Sequence, residues 1–144
     1  MKVLRIVSGW FGAVIVAVLV GSIIQTQFNL AAIAALGASI GLADRLATTA
    51  HDLVHFSPVY AFPVAVALAI AWPIAALASR RLPGGRRTWF ALAGFSAVLV
   101  MIAVMNRALP ITAIAATREL AGTLLLAAGG ALAGWLYARL PQSA

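Results

Sequence analysis

The stretch HDLVH, residues 51–55, holds both histidines of the chain. They stand four apart, one turn of a helix, which puts their Cβ atoms about 5–6 Å from each other on one face. Two imidazoles so placed can grip one metal ion, with Asp44 or Glu119 as a third ligand and open positions for water. Asp52, between them, can serve as a base or relay a proton.

The same residues support other chemistry. The spacing is one residue away from HExxH, with the shorter Asp52 where the glutamate base would stand. It is half of that motif, since no third ligand follows at a known spacing. A histidine beside an acid can also hold a quinone carbonyl and pass it a proton. One histidine can ligate a haem shared with a partner subunit. Both together cannot sandwich a haem, because axial ligands approach from opposite faces. Finally, histidine, aspartate and threonine are what the wet face of a surface helix carries. These readings all stay open in the sequence. A second candidate site is Arg107 with Arg118, which can bind an anion or lipid headgroup. Its competing reading is a pair of interfacial anchors, with Glu119 favoured at a helix N-terminus.

The elements that must position these groups are membrane helices. Of the 144 residues, 64% are hydrophobic and 9% charged, and the mean hydropathy is +1.06. A small soluble domain needs a more polar skin than that. Four spans stand out, at about 6–25, 60–79, 89–105 and 120–138, each about the 20 residues needed to cross the hydrocarbon core. The first outlasts the roughly 7–15 apolar residues of a signal peptide and no clear A-x-A cleavage site follows it, so it reads as an uncleaved helix. The chain has no cysteine, which excludes disulfides, thiolate metal sites and thiol redox chemistry. The net charge of +7 does not point to nucleic acid, because the basic residues flank apolar spans.

The charges give a direction. Lys2, Arg5, Arg80, Arg81, Arg86, Arg87 and Arg139 fall on one side of the spans. Arg45, Arg107 and Arg118 fall on the other, with Asp44, Asp52, Glu119 and both histidines. The positive-inside rule makes the first side cytoplasmic and puts both termini there. Gly9, Ala13, Ala17 and Gly21 form a small-residue stripe ending at Gln25, and Gly130 and Gly134 have GxxxG spacing. Such residues let helix backbones approach closely, within one chain or across a homo-oligomer. Pro63 and Pro73 are expected to kink span two, since each removes a backbone donor and crowds the previous turn.

Between spans one and two, residues 27–57 are expected to form an extracytoplasmic cap. Its first part, QFNLAAIAALGASIG, is apolar but too short to span, so it is expected to be re-entrant or interfacial. In its second part Asp44, Thr48, His51 and His55 share one helical face and Leu42, Leu46, Ala50 and Leu53 the other. That is an amphipathic helix, lying on the interface or capping the bundle. Thr117 is expected to cap span four.

The fold class expected is therefore an all-α membrane protein in a single domain, residues 1–144: a four-transmembrane-helix bundle with an amphipathic or re-entrant extracytoplasmic segment between helices one and two. The function that fits best is a non-enzymatic anchor, accessory or binding subunit of a bacterial inner membrane, with the lipid bilayer and a membrane or extracytoplasmic protein as partners. The alternatives are a quinone- or haem-binding redox subunit, a small transporter, and a metal-dependent membrane enzyme.

Overall fold

The computed structural model describes residues 2–109, 112 and 114–140. The described residues form four long helices and one 3₁₀ turn, with no strand: α1 (Lys2–Ala35), α2 (Leu42–Arg81), α3 (Arg86–Ala108), the turn Ala115–Arg118, and α4 (Leu120–Arg139). All four helices are long and apolar enough to cross a membrane. In the second connection, NRALPITAIAATRE, Pro110, Ile111 and Ala113 lie outside the described residues.

α1 and α3 run one way, α2 and α4 the other. α1 packs on α2 and α4, and α3 packs on the same two, so the helices form a ring in chain order. The interior holds Val64, Leu68, Phe90, Val98 and Leu126, all fully buried. On α1, large and small residues are distributed in reverse of a soluble bundle. On α1 the outward row is Phe11, Ile15, Leu19 and Ile23, with Phe11 and Ile15 each 55% exposed, while Ala17 on the inward row is 3% exposed. Large side chains outside and small ones inside suit a lipid solvent, where helices associate by close backbone packing rather than by hiding apolar bulk.

The small residues mark the contacts. Gly9 lies beneath Tyr137 and Leu140, and the Tyr60 ring sits on Gly21. The tightest seam joins α3 to α4. A Cβ on Gly130 would strike the Gly94 carbonyl oxygen, a Cβ on Gly94 would strike that of Gly130, and a Cβ on Gly134 would strike that of Phe90. The backbones touch there because glycine leaves nothing between them.

α1 has 34 residues and α2 has 40, against 23 in α3 and 20 in α4. The first two helices do not stop where their apolar spans fade. Gln25, Thr26 and Gln27 are polar but are not helix breakers, so α1 runs on to Ala35. It ends where Gly37 takes a positive φ of 97°, a conformation glycine adopts without the Cβ clash. α2 begins after Gly41, whose N–H donates to Asp44 Oδ2 at 3.0 Å, one half of a capping box. It then continues unbroken through Pro58, Pro63 and Pro73. Each proline costs one ladder hydrogen bond without ending the helix. The segment 27–41 is therefore the end of α1 plus a tight turn, and 42–57 is the beginning of α2. Together they form an antiparallel two-helix hairpin.

Candidate functional site

The hairpin carries the histidines. His51 and His55 stack at 4.1 Å between ring centroids with 17° between planes. His55 Nδ1 lies 3.0 Å from the His51 carbonyl oxygen. A carbonyl only accepts, so His55 Nδ1 is the donor of this bond. Both rings are exposed.

The other candidate ligands point elsewhere. Asp52 is turned into the seam with α1, where Thr26 Oγ1 lies 2.7 Å from its Oδ2. Asp44 is taken up by the helix cap at Gly41. Glu119 stands on a different element as the N-cap residue of α4. Among the described residues, no three of His, Asp and Glu come together as a metal set. Arg107 and Arg118 are both exposed, Arg107 in the last turn of α3 and Arg118 in the last turn of the 3₁₀ segment.

What the structure does bring together is a polar seam between α1 and α2. The buried Thr26 hydroxyl bridges Asp52 Oδ2 and the Ser22 carbonyl, 2.9 Å away. One turn further along, Arg45 Nη1 donates to Gln27 Oε1 at 3.0 Å. Gln27 Nε2 in turn donates to Thr49 Oγ1 at 3.1 Å, and Thr49 Oγ1 donates to the Arg45 carbonyl at 2.7 Å. Arg45, Thr49 and Asp52 recur at i, i+4 and i+7, which makes them one face of α2. Arg45, which could have paired with Asp52 on its own helix, instead reaches across to Gln27. Leu42, Leu46 and Ala50, the apolar face, are exposed. The helix thus turns the face of Arg45, Thr49 and Asp52 to α1, which presents Thr26 and Gln27 there, and leaves Asp44, His51 and His55 exposed along with the leucines.

The seam ends at Gln25, whose Oε1 accepts the Ala116 N–H at 2.8 Å in a buried setting. That bond seats the 3₁₀ turn on α1. Thr117 does not cap α4; its hydroxyl donates to the Ile114 carbonyl within the 3₁₀ turn at 2.8 Å. Sequence reasoning gathered Gln27, Arg45 and Asp52 at one end of the bundle but passed over Thr26 and Thr49 as partners. The available signal was the run QTQ at the end of an apolar span, since polar groups at that depth bond a neighbouring helix. Ser22 and Ser57 are also buried, and their hydroxyls have no hydrogen-bond partner among the described residues.

Both histidines are exposed, and among the described residues their side chains stack on each other and bond one backbone carbonyl, so they hold little of the fold. His51→Ala and His55→Ala are each expected to change stability by less than about 0.5 kcal/mol. Thermal melts in mild detergent check this, and a fall of many degrees would show that the pair anchors the hairpin.

Comparison with protein families, with curated proteins and with solved structures finds no match for this chain.

Proposed function

We propose that this chain is a non-enzymatic anchor or accessory subunit of a bacterial inner membrane, whose extracytoplasmic hairpin docks a protein partner. The observation that carries the reading is the hairpin's arrangement. Thr26, Gln27, Arg45, Thr49 and Asp52 are engaged with each other across the α1–α2 seam, and the outer surface presents leucines beside Asp44 and the two histidines: Leu36 is 89% exposed, Leu42 74% and Leu46 63%. Beyond Gln25 the hairpin extends roughly 15 Å past the four-helix part, at 1.5 Å per residue over residues 26–35. Exposed leucines interspersed with Asp44 and His51 suit a protein surface better than hydrocarbon.

The direction of insertion follows from charge. Arg5, Arg80, Arg81, Arg86, Arg87 and Arg139 cluster at one end of the bundle. The opposite end holds Arg45, Arg107 and Arg118 together with all three acidic residues. The positive-inside rule makes the arginine-rich end cytoplasmic and the hairpin extracytoplasmic.

Because the chain lacks cysteine, single-cysteine variants report on both points. A cysteine at Ser39, in the hairpin turn, is expected to react with a membrane-impermeant maleimide from outside intact cells, and one at Thr88 only after lysis. A photo-crosslinker at Leu42 or Leu46 is expected to give one discrete adduct with a protein other than this chain. Labelling in the reverse order overturns the orientation. Adducts with lipid alone, or with a second copy alone, overturn the docking role.

A further inference from the structure

The seam between α2 and α3 leaves a groove of about 670 Å³, within the range of roughly 300–1,000 Å³ that encloses a small amphiphilic ligand. Its walls are apolar, with Val66, Ile70 and Ile74 on α2 and Leu92 and Val100 on α3; Ser96 supplies the sole hydroxyl among the residues lining it. The groove runs along α3 from Met105 to Trp89, a length of about 24 Å at 1.5 Å per residue. That exceeds the roughly 15 Å half-thickness of the hydrocarbon core that an acyl chain must fill.

The end at Trp89 opens beside the turn that joins these same two helices, and this turn is flanked by Arg80, Arg81, Arg86 and Arg87. Ile74, Ala78 and Arg81 follow at i, i+4 and i+7, so Arg81 continues the row of α2 residues that line the groove. Arg86 is already engaged. Its Nη1 donates to the Ala138 carbonyl at 2.7 Å, and its guanidinium lies 4.6 Å from the centre of the Phe90 ring. Arg80, Arg81 and Arg87 are exposed, and none of them bonds or pairs with another described residue.

A long apolar trough that ends under unpaired arginines fits one chemistry, an acyl chain joined to an anionic headgroup. We infer that the α2–α3 groove holds one anionic phospholipid, its chain against Ile74, Leu92 and Ser96 and its phosphate beneath Arg81, with Arg80 and Arg87 beside it. A second copy of the chain is a poor occupant, because a symmetric contact would bring the two arginine clusters together. The inference rests on the membrane reading above, but not on the direction of insertion.

The test uses the full chain in nanodiscs of phosphatidylcholine containing a minority of phosphatidylglycerol. It is then extracted gently and its retained lipids are counted by native mass spectrometry. Phosphatidylglycerol is expected to be retained in preference, one molecule per chain. Juxtamembrane basic residues each draw anionic lipid to the surface beside them. The triple variant Arg80→Ala, Arg81→Ala, Arg87→Ala is therefore expected to lose at least about tenfold of the preference. Ser96→Phe, which fills the groove from an exposed, unbonded position, is expected to lower retention with every arginine in place. Both variants should keep the wild-type melting temperature, which separates loss of the site from loss of fold. Equal retention of both lipids, or a preference that survives either variant, overturns the proposal. Displacement by inorganic phosphate alone does so too, since it would mean a simple anion site. A chain that fails to enter the discs overturns the membrane reading itself, and that result is distinguishable from incorporation without lipid preference.

Discussion

Gly130→Ala, the addition of one methyl group, is expected to destabilise the bundle by at least about 3 kcal/mol. The new Cβ would land on the Gly94 carbonyl oxygen, and it would also stand 2.6 Å from Val98 Cγ2. The valine can rotate, but the carbonyl belongs to the backbone of α3 and cannot. Relief requires the two helices to separate along their length. The neighbouring glycines resist the same movement, because Gly94 meets the Gly130 carbonyl and Gly134 that of Phe90. In lipid the helices gain little by hiding apolar surface from water, so close van der Waals contact along such a seam carries much of their association. For a chain of this size, the loss corresponds to a fall on the order of 10 °C in melting temperature. Gly12→Ala is the control. Nothing lies within 4 Å of a Cβ built there, so alanine is expected to be neutral or to stabilise the helix by about 0.5–1 kcal/mol. If Gly130→Ala melts like wild type while Gly12→Ala behaves as stated, α3 and α4 are not in backbone contact at this point.

The Gly130 seam also shows what a sequence carries and what it withholds. GxxxG spacing within α4 is visible because both glycines lie on one helix. Their partner Gly94 is not, since it stands alone in α3 and gains meaning only when another helix lies across it. The four helices are legible for the same local reason: apolar runs of the right length are written consecutively. Their ends are less so. The first span is interrupted by the polar run Gln25-Thr26-Gln27, but a helix stops at a cap or a conformational break, and the break comes at Gly37. The hairpin's register was hidden in a similar way. Periodicity separates Asp44, Thr48 and His51 from Leu42, Leu46 and Ala50. It does not say which face an unseen neighbour will meet. Thr26 and Gln27 settle that in favour of a third face, bonding Asp52, Arg45 and Thr49 and leaving both Asp44 with His51 and the leucines exposed. The juxtaposition of His51 and His55 needed only the helix, and it was readable. The divergence of Asp52 needed α1, and it was not.

Gln25→Leu is expected to cost about 1–3 kcal/mol, although it preserves the volume and the apolar contacts of the side chain. Gln25 is 9% exposed, and its Oε1 takes the N–H of Ala116, which is itself fully buried. With leucine there, the N–H keeps its burial and loses its acceptor, so the full desolvation cost of a buried donor appears. The loss should be felt locally before it is felt globally. Gly122 of α4 packs directly against the Ala116 carbonyl, so releasing Ala116 loosens the start of α4 as well as the 3₁₀ turn. Hydrogen exchange at the Ala116 amide is expected to accelerate roughly ten- to a hundredfold in the leucine variant. The hairpin amides of residues 26–35 should exchange as in wild type, because Thr26 and Gln27 bind α2 independently of the turn. Gln25→Glu, which keeps an acceptor at nearly the same reach, should restore most of the protection. Uniform acceleration across α1 and α2 would instead mean that Gln25 supports the whole bundle, and unchanged exchange at Ala116 would mean that its amide is satisfied elsewhere. The local pattern would make Gln25 the joint at which the four-helix bundle ends and a two-helix hairpin begins, and would explain why a glutamine closes an otherwise unbroken stripe of glycine and alanine.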